Sequence, residues 1–217
     1  MLLSVAYFPP VEYFALLAGY SSVYVEACEN YQKQSWRNRC RILTANGTQD
    51  LNVPVVHENG TFALPIRQIR VDYSTPWVIR TERAIESAYS SSPFFIYYKD
   101  ELFGILDYRP KTIWELDMRL IRFFCAKIGI APDIRETLSF VPPLAGQVSG
   151  NPGFAASSAG EDYRQAIHPK RPNTILADLG LDRPYWQVFR ERFGFVPGLS
   201  VMDLLFNEGP ESICWLR

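Results

Sequence analysis

Residues 2–26 read LLSVAYFPPVEYFALLAGYSSVYVE, and this stretch decides the fold. Its first seven residues form an apolar run of strand length, and the pair Pro9-Pro10 then suits entry into a helix. That helix is predicted to end at Gly19, and residues 21–27 alternate apolar and polar side chains as a strand does. Strand, helix and strand in this order predict a right-handed parallel β-α-β unit.

The next two strands are predicted to form a hairpin. WRNRCRILT (36–44) and TQDLNVPVV (48–56) flank Asn46-Gly47, and Asn-Gly between alternating strands is the strongest short hairpin signal. A second Asn-Gly pair, at 59 and 60, precedes another short strand. The first third of the chain therefore predicts a mixed sheet.

From residue 76 onwards the apolar residues recur with a helical period. Thr112 and Glu115 form a capping-box pattern that opens a helix predicted to end at Gly129. The other predicted elements are helices from Trp77 and from Phe94, a strand within 134–141, a helix from Asp182-Pro184 to Gly194, and a helix beginning at Ser200. The predicted class is α/β, with a mixed β-sheet from the N-terminal third packed by helices from the middle and C-terminal parts.

The domain organisation follows from length and from one change in composition. A chain of 217 residues fits one domain. Residues 142–160, PPLAGQVSGNPGFAASSAG, carry no charge and consist mostly of Gly, Pro, Ala and Ser, which is typical of a mobile loop. We expect a single domain over 1–217 with a mobile loop at 142–160.

Charge and motifs exclude several functional classes. The net charge is −1, so no overall field attracts nucleic acid. No run of 18 apolar residues predicts a membrane span, and without Lys or Arg before Lys33 the apolar start is a poor signal peptide, so we expect a cytoplasmic protein. The chain has no G-x-G-x-x-G, Walker-type or H-E-x-x-H motif, so no metal site is expected and the cofactor stays open.

The first candidate site is the row of positive charge in YQKQSWRNRC (31–40). If this segment is extended, Lys33, Arg37, Arg39 and Arg41 share one face at about 6.6 Å spacing. Such a row repels itself unless carboxylates or a bound anion lie among the cations, so the alternatives are an anion site and a solvated strand face. Asn38 and Arg39 are the pair that we single out as substrate ligands, with Lys33 assisting.

The second candidate site lies in the tail, where five groups able to hold an anion occur within nine residues. Tyr163 and Arg164 come first, and His168 and Lys170 follow in the run His-Pro-Lys-Arg. His168 can act as an acid or base near neutral pH, and its expected partner is a carboxylate such as Glu26 or Glu29. Of these two we assign the catalytic role to Glu29. The alternative is a basic surface turn.

Four ordered segments resemble the WbqC-like protein family. They are YFPPVEYF (7–14), NYQKQSWRNRCRI followed by LNVPV (30–55), W-x(7)-I-x(2)-A-Y-x(3)-P-F-F (77–95), and YWQVF followed by PGLSVMDLLFNEGP (185–210). The resemblance places Lys33, Asn38 and Arg39 on the family's basic, Asn and Arg positions, and Asp203 and Asn207 in its tail motif. Many members have a His-Gln-Pro turn where this chain has Ala6-Tyr7-Phe8-Pro9.

The resemblance implies a setting in bacterial surface polysaccharide synthesis. The leading hypothesis is a group-transferase acting on a phosphate-bearing donor, either a sugar nucleotide or an acyl donor. Asn38 and Arg39 would neutralise the anion, and His168 and Lys170 would assist. The alternative is a non-catalytic binding or scaffold protein for polysaccharide assembly.

Overall fold

A computed structural model describes residues 1–57, 63–142 and 161–217. The predicted loop at 142–160, apart from Pro142, and the second Asn-Gly pair at 59 and 60 lie outside the described residues. The strands are β1 (Leu2–Ser4), β2 (Ser22–Glu26), β3 (Arg39–Thr44), β4 (Gly47–Asn52) and β5 (Asp133–Glu136). The helices are α1 (Val11–Gly19), α2 (Trp77–Tyr89), α3 (Phe95–Asp107), α4 (Ile113–Ile128), α5 (Ile175–Asp178), α6 (Arg190–Phe193) and α7 (Val201–Glu208). The predicted α/β class is confirmed.

The β1-α1-β2 unit predicted from the opening stretch is parallel. β2 lies in the middle of a three-stranded parallel sheet, with β1 on one side and β5 on the other. Residues 161–163 run beside β1, because Leu2 accepts a hydrogen bond from the amide of Tyr163 and donates one to the carbonyl of Glu161. The tail is thereby brought to the same sheet, and the carboxyl ends of the strands lie at one edge.

The predicted hairpin is confirmed as a separate antiparallel pair, β3 with β4. Thr44 pairs with Gly47 at its tip, and Gly47 has φ +101°, a left-handed conformation that glycine adopts without steric cost. β3 packs against α2 and α7 through Cys40 and Ile42, which are both buried. The strands predicted to form one mixed sheet therefore lie in two sheets, one parallel and one antiparallel.

Helix α4 begins and ends where the capping signals predict. The Thr112 hydroxyl accepts a hydrogen bond from the Glu115 amide at 3.2 Å, and Gly129 closes the helix with φ +82°. Along its length α4 buries an almost continuous apolar face against α3 and the last turns of the chain. No helix in the described ranges is both long and apolar enough to span a membrane.

Two of the predicted elements are wrong. The segment 31–41 is not extended throughout, because Trp36–Asn38 forms a 3₁₀ turn. The Ser35 hydroxyl caps this turn by accepting a hydrogen bond from the Arg37 amide. This turn places Arg37 in the interior and leaves only Arg39 and Arg41 on a shared strand face. The alternating charges predicted a strand, but a hydrogen bond to a serine hydroxyl stabilises a turn at this place instead.

The tail helix predicted between Asp182 and Gly194 is confined to α6. Residues before it are irregular because the Gln187 side chain bonds both backbone groups of Val196, each at 2.9 Å. Those hydrogen bonds fix a loop that local propensity alone does not predict. The helix predicted from Ser200 is confirmed as α7, and the Ser200 hydroxyl accepts from the Met202 amide.

Three backbone hydrogen bonds fasten the start of α7 to distant parts of the chain. The Val11 amide donates to Leu199, the Val201 amide donates to Pro9, and the Ser200 amide donates to Arg41. The first turn of α1, the hairpin and the tail therefore meet at one place. The pocket described below lies at this junction.

Candidate functional site

Buried ion pairs lie at the carboxyl ends of the parallel strands, the edge where open α/β sheets commonly bind ligands. Glu26, the last residue of β2, is fully buried, and its Oε2 accepts from Arg164 at 3.2 Å and from the Val141 amide at 2.9 Å. Its Oε1 accepts from the Thr137 hydroxyl at 2.6 Å. Arg164 also forms an ion pair with Asp162, in which Nη2 donates to Oδ2 at 2.6 Å. We call Glu26, Glu29, Arg37, Asp162 and Arg164 the strand-end cluster.

The second half of the strand-end cluster is the pair Glu29 and Arg37. Arg37 donates from Nε to Glu29 Oε1 at 2.9 Å and from Nη2 to Oε2 at 2.5 Å, a bidentate geometry. Ser4 lies between them, accepting from Arg37 at 2.8 Å and donating to Glu29 at 3.2 Å. Both charged side chains are buried, so Glu29 is committed to a structural ion pair.

Two other predicted ligands of this region, Asn38 and Arg39, form hydrogen bonds within the hairpin. Asn38 donates from its amide to the Val53 carbonyl at 3.1 Å, which closes the base of the hairpin. Arg39 donates to Asp50 at 3.3 Å and to Asn52 at 3.1 Å on the neighbouring strand. The predicted ligand Lys33 is exposed ahead of the 3₁₀ turn.

Tyr163 is also bound within the fold. Its hydroxyl lies 3.0 Å from Glu161 and 3.4 Å from the Tyr20 hydroxyl. Burial raises the pKa of Tyr163, and the carboxylate of Glu161 raises it further. The Tyr163 hydroxyl is therefore a protonated donor at neutral pH.

A pocket of ≈ 510 Å³ lies at the junction of α1, the hairpin and the tail. Ligand sites in proteins commonly have this size. The side chains that line it come from the first turn of α1 (Val11, Glu12), the hairpin region (Trp36, Arg41), residues 168–174, α5, and the tail (Arg183, Tyr185, Phe195, Trp215). Of the predicted site residues, the structure brings His168 and Lys170 to this pocket together with Arg41.

The cations of the pocket differ from those of the strand-end cluster. Within the described residues neither Lys170 nor Arg171 has a carboxylate partner; the Lys170 ammonium donates to the neutral amide oxygen of Gln34. Arg41, by contrast, pairs with Asp50 at 3.0 Å and stacks over Trp36. Lys170 and Arg171 are exposed and retain charge that an anion can neutralise.

His168 has a defined hydrogen bond and a displaced pKa. Its Nδ1 accepts from the Lys170 amide at 3.1 Å, which leaves the ring proton on Nε2. Burial lowers the pKa of His168, and the positive charges of Arg171, Arg37 and Lys170 lower it further. At neutral pH His168 is therefore an uncharged donor through Nε2.

Glu12 is the buried carboxyl at this pocket, and the sequence analysis did not select it. It lies in the first turn of α1, is 5% exposed, and accepts from the Asn173 amide at 3.1 Å. Burial raises the pKa of Glu12, and the hydrogen bond from Asn173 only partly offsets this. The signal that could have identified Glu12 is a charged residue on an otherwise apolar helix, directly after the Pro-Pro turn.

Tyr185 and Asp203 form a second group that sequence reasoning did not assign to a site. The Tyr185 hydroxyl donates to Asp203 Oδ2 at 2.8 Å, and Gln187 donates to the same oxygen at 2.9 Å. Burial raises the pKa of Asp203 to about 6, although both hydrogen bonds favour its ionised form. Tyr185 lines the pocket from its buried position. The available signal was the tail motif that contains all three residues.

The described part of the chain contains no group of three or more His, Cys, Asp or Glu side chains arranged to hold a metal ion. The four cysteines are free thiols, and Cys40 and Cys125 are buried. Burial raises the pKa of both thiols, so they are poor nucleophiles.

Comparison with known proteins agrees with the first three of the four segments quoted above, and the fourth, at 185–210, lies outside the family match. The profile of the WbqC-like protein family matches residues 5–149. The chain is also 29% identical over 222 residues to the protein of Mycobacterium tuberculosis (strain H37Rv) named Uncharacterized protein Rv1507c, with 97% of this chain and 94% of the relative aligned. No solved structure matches the chain.

Proposed function

This chain belongs to the WbqC-like protein family, and from that premise we propose that its pocket binds a phosphate-bearing small molecule and transfers a group from it. The donor is a sugar nucleotide or an acyl donor, and the setting is bacterial surface polysaccharide synthesis. The pocket supports the binding step. The family resemblance is the support for the setting and for group transfer.

The observation that carries the proposal is the pair of uncompensated cations at the pocket. Lys170 and Arg171 lie side by side on the turn that begins at His168, and within the described residues neither meets a carboxylate. Adjacent cations repel each other unless an anion joins them. The guanidinium fork and the ammonium group are the donors that proteins use for phosphate.

The remaining pocket groups supply the transfer step. The acceptor's hydroxyl or amine forms a bond to the transferred group while the bond from that group to the phosphate oxygen breaks. The electron pair stays on the phosphate, where Lys170 and Arg171 stabilise the charge, and the acceptor's proton passes to the Glu12 carboxylate. His168 Nε2 donates a hydrogen bond to the phosphate.

A second candidate function, ligand binding without chemistry, is favoured by a different observation. Glu29 is committed to Arg37, and His168 Nδ1 is occupied by a backbone amide, so neither residue is a free base. The anion-binding roles of Lys33, Asn38, Arg39, Tyr163 and Arg164 stay predictions. In this candidate the pocket holds the same donor for another protein.

A thermal-shift screen of the full chain tests the binding step. We expect at least one of UDP-glucose, GDP-mannose and acetyl phosphate to raise Tm, and Arg171→Ala to abolish that rise because it removes an uncompensated cation. Arg83→Ala is the matched control, since Arg83 is exposed on α2 away from the pocket. Arg39→Ala tests the separate prediction that Arg39 binds the anion: loss of the rise would confirm that role, and a retained rise would limit Arg39 to its pair with Asp50.

Two results would contradict the proposal. One is the absence of any shift with all three compounds, and the other is an equal shift in Arg171→Ala and the wild type. For a donor that binds, phosphorus NMR of its slow breakdown, with water as the acceptor, separates the two candidate functions. Breakdown that Glu12→Gln abolishes supports transfer, and binding without breakdown supports the non-catalytic function.

A further inference from the structure

An aromatic group forms a separate part of the pocket wall. Tyr185 contacts Phe195 with ring centroids 5.2 Å apart and an interplanar angle of 83°, and it contacts Trp215 at 6.1 Å and 65°. All three rings line the pocket. Phe195 is 37% exposed, so this wall presents aromatic surface to solvent. Large exposed rings beside a cavity are typical of ligand contact.

A guanidinium group extends this aromatic surface. Arg183 lies over the Trp215 ring, 4.9 Å from its centroid, and also donates to the Cys214 carbonyl. The hydrogen bond anchors the guanidinium over the indole, and no carboxylate within the described residues pairs with it. Guanidinium planes and aromatic rings are the two surfaces on which proteins stack bases.

The aromatic group is held in place from behind. Asp203 Oδ2 accepts from both Tyr185 and Gln187, and Gln187 bonds both backbone groups of Val196, the neighbour of Phe195. Tyr185 and the backbone that carries Phe195 are therefore fixed before any ligand arrives. Such preorganisation reduces the ordering cost of binding.

We propose that Arg183, Tyr185, Phe195 and Trp215, the aromatic platform, stack the base of a nucleoside diphosphate whose phosphates meet Lys170 and Arg171. This inference rests on the proposed function and narrows its donor to a nucleotide. An acyl phosphate would use the cations and leave the exposed ring of Phe195 uncovered. A nucleoside diphosphate carries a planar ring and a charged group in one molecule, which matches both parts of the wall.

Isothermal titration of the full chain compares inorganic pyrophosphate with UDP, GDP, CDP and ADP. We expect the best of the four nucleotides to bind at least tenfold more tightly than pyrophosphate. Phe195→Ala and Trp215→Leu should each remove most of that advantage and leave the affinity for pyrophosphate unchanged. Trp186→Leu is the matched control, since Trp186 is 40% exposed and does not line the pocket.

The outcomes distinguish failure of the base-stacking inference from failure of the proposed phosphate-binding function. If pyrophosphate binds and no nucleotide binds more tightly, the aromatic platform is not a base site while the phosphate site stands. If neither pyrophosphate nor any nucleotide binds, this inference fails, and the proposed function fails with it when the thermal-shift screen also shows no rise with any of its three compounds. A nucleotide advantage that survives in both Phe195→Ala and Trp215→Leu would also overturn the inference. A folding defect is not expected in Phe195→Ala, because the Phe195 side chain is already exposed. This variant therefore tests the inference even if Trp215→Leu fails to fold.

Discussion

Arg164 lies beneath the ends of the parallel strands and pairs with two carboxylates. Arg171, seven residues later, lines the pocket, and its guanidinium pairs with no carboxylate among the described residues. Both belong to the same basic stretch of the tail. The difference is in the partners, because residues 161–163 join the sheet and carry Arg164 to Glu26. A basic residue therefore belongs to the framework or to a binding site according to what the fold places opposite it.

The same contrast holds in the first basic row. Arg37 turns inward to Glu29 through the 3₁₀ turn, and Arg39 pairs with Asp50 across the hairpin. Partly exposed pairs such as Arg39 with Asp50 contribute less to stability, while removal of one partner from a buried pair is costly. The predictions below test this division, beginning with the largest expected effect.

Arg164→Met should lower the free energy of unfolding by about 3–5 kcal/mol, since it leaves the buried Glu26 carboxylate without its cation. Arg171→Met, the matched change at the pocket, should alter it by less than about 0.5 kcal/mol. Urea unfolding followed by circular dichroism measures both. Equal losses in the two variants would show that the strand-end cluster and the pocket turn are not energetically different.

Asp117→Asn tests a buried carboxyl that, within the described part of the chain, has no cation bound to it, in contrast to Glu26. Asp117 on α4 is buried like Glu26, but neither of its carboxylate oxygens has a hydrogen-bond partner among the described residues. Burial raises the pKa of Asp117 well above its usual value, and the charge of Arg37 opposes this only in part. The folded state therefore retains the proton after the unfolded state has lost it. From about pH 4 upward, the wild type should lose stability relative to Asp117→Asn by about 1.4 kcal/mol per pH unit, until the folded pKa is reached.

Unfolding of both proteins across a pH series checks the Asp117 prediction. The difference between the two curves should be constant below pH 4 and should grow above it. A constant difference at all pH values would mean that the Asp117 carboxyl does not change its ionisation on folding.

The smallest expected effect concerns the charge state of His168. Its pKa lies below the usual value because of burial and the neighbouring cations, so its contribution to stability is present above about pH 6.5 and is lost as pH falls through the folded pKa. Pyrophosphate bound at Lys170 and Arg171 should raise the pKa of His168 by offsetting those cations. NMR titration with and without pyrophosphate measures the pKa of His168. The chain has 2 histidines, so the signal that remains in His57→Asn belongs to His168. Binding that leaves the pKa unchanged would place the anion elsewhere.

Local signals predicted the elements that depend on local chemistry. The β-α-β opening, the Asn46-Gly47 hairpin and the capped ends of α4 each follow from residues within a few positions of one another. The predictions failed where a side chain forms hydrogen bonds to the backbone that replace the predicted element. Ser35 caps a turn within the basic row, and Gln187 holds a loop where a helix was expected.

The site was predicted less completely than the fold. His168 and Lys170 do line the pocket, but Glu12 and Tyr185 were missed because their partners, Asn173 and Asp203, are remote in sequence. A carboxylate on an apolar helix gives no sign of what it will meet. Periodicity reports which face is buried, and it does not report which side chains share that interior.

The sequence by itself determined the α/β class, the hairpin and the positions of the cations, because backbone geometry and burial follow periods of two and 3.6 residues. Only the tertiary structure decided which cations are neutralised. Charges interact through space with a strength that depends on distance and burial, so pairing is settled when β1, β2 and the tail meet. Arg164 then acquires Glu26, while Arg171 is left at the pocket.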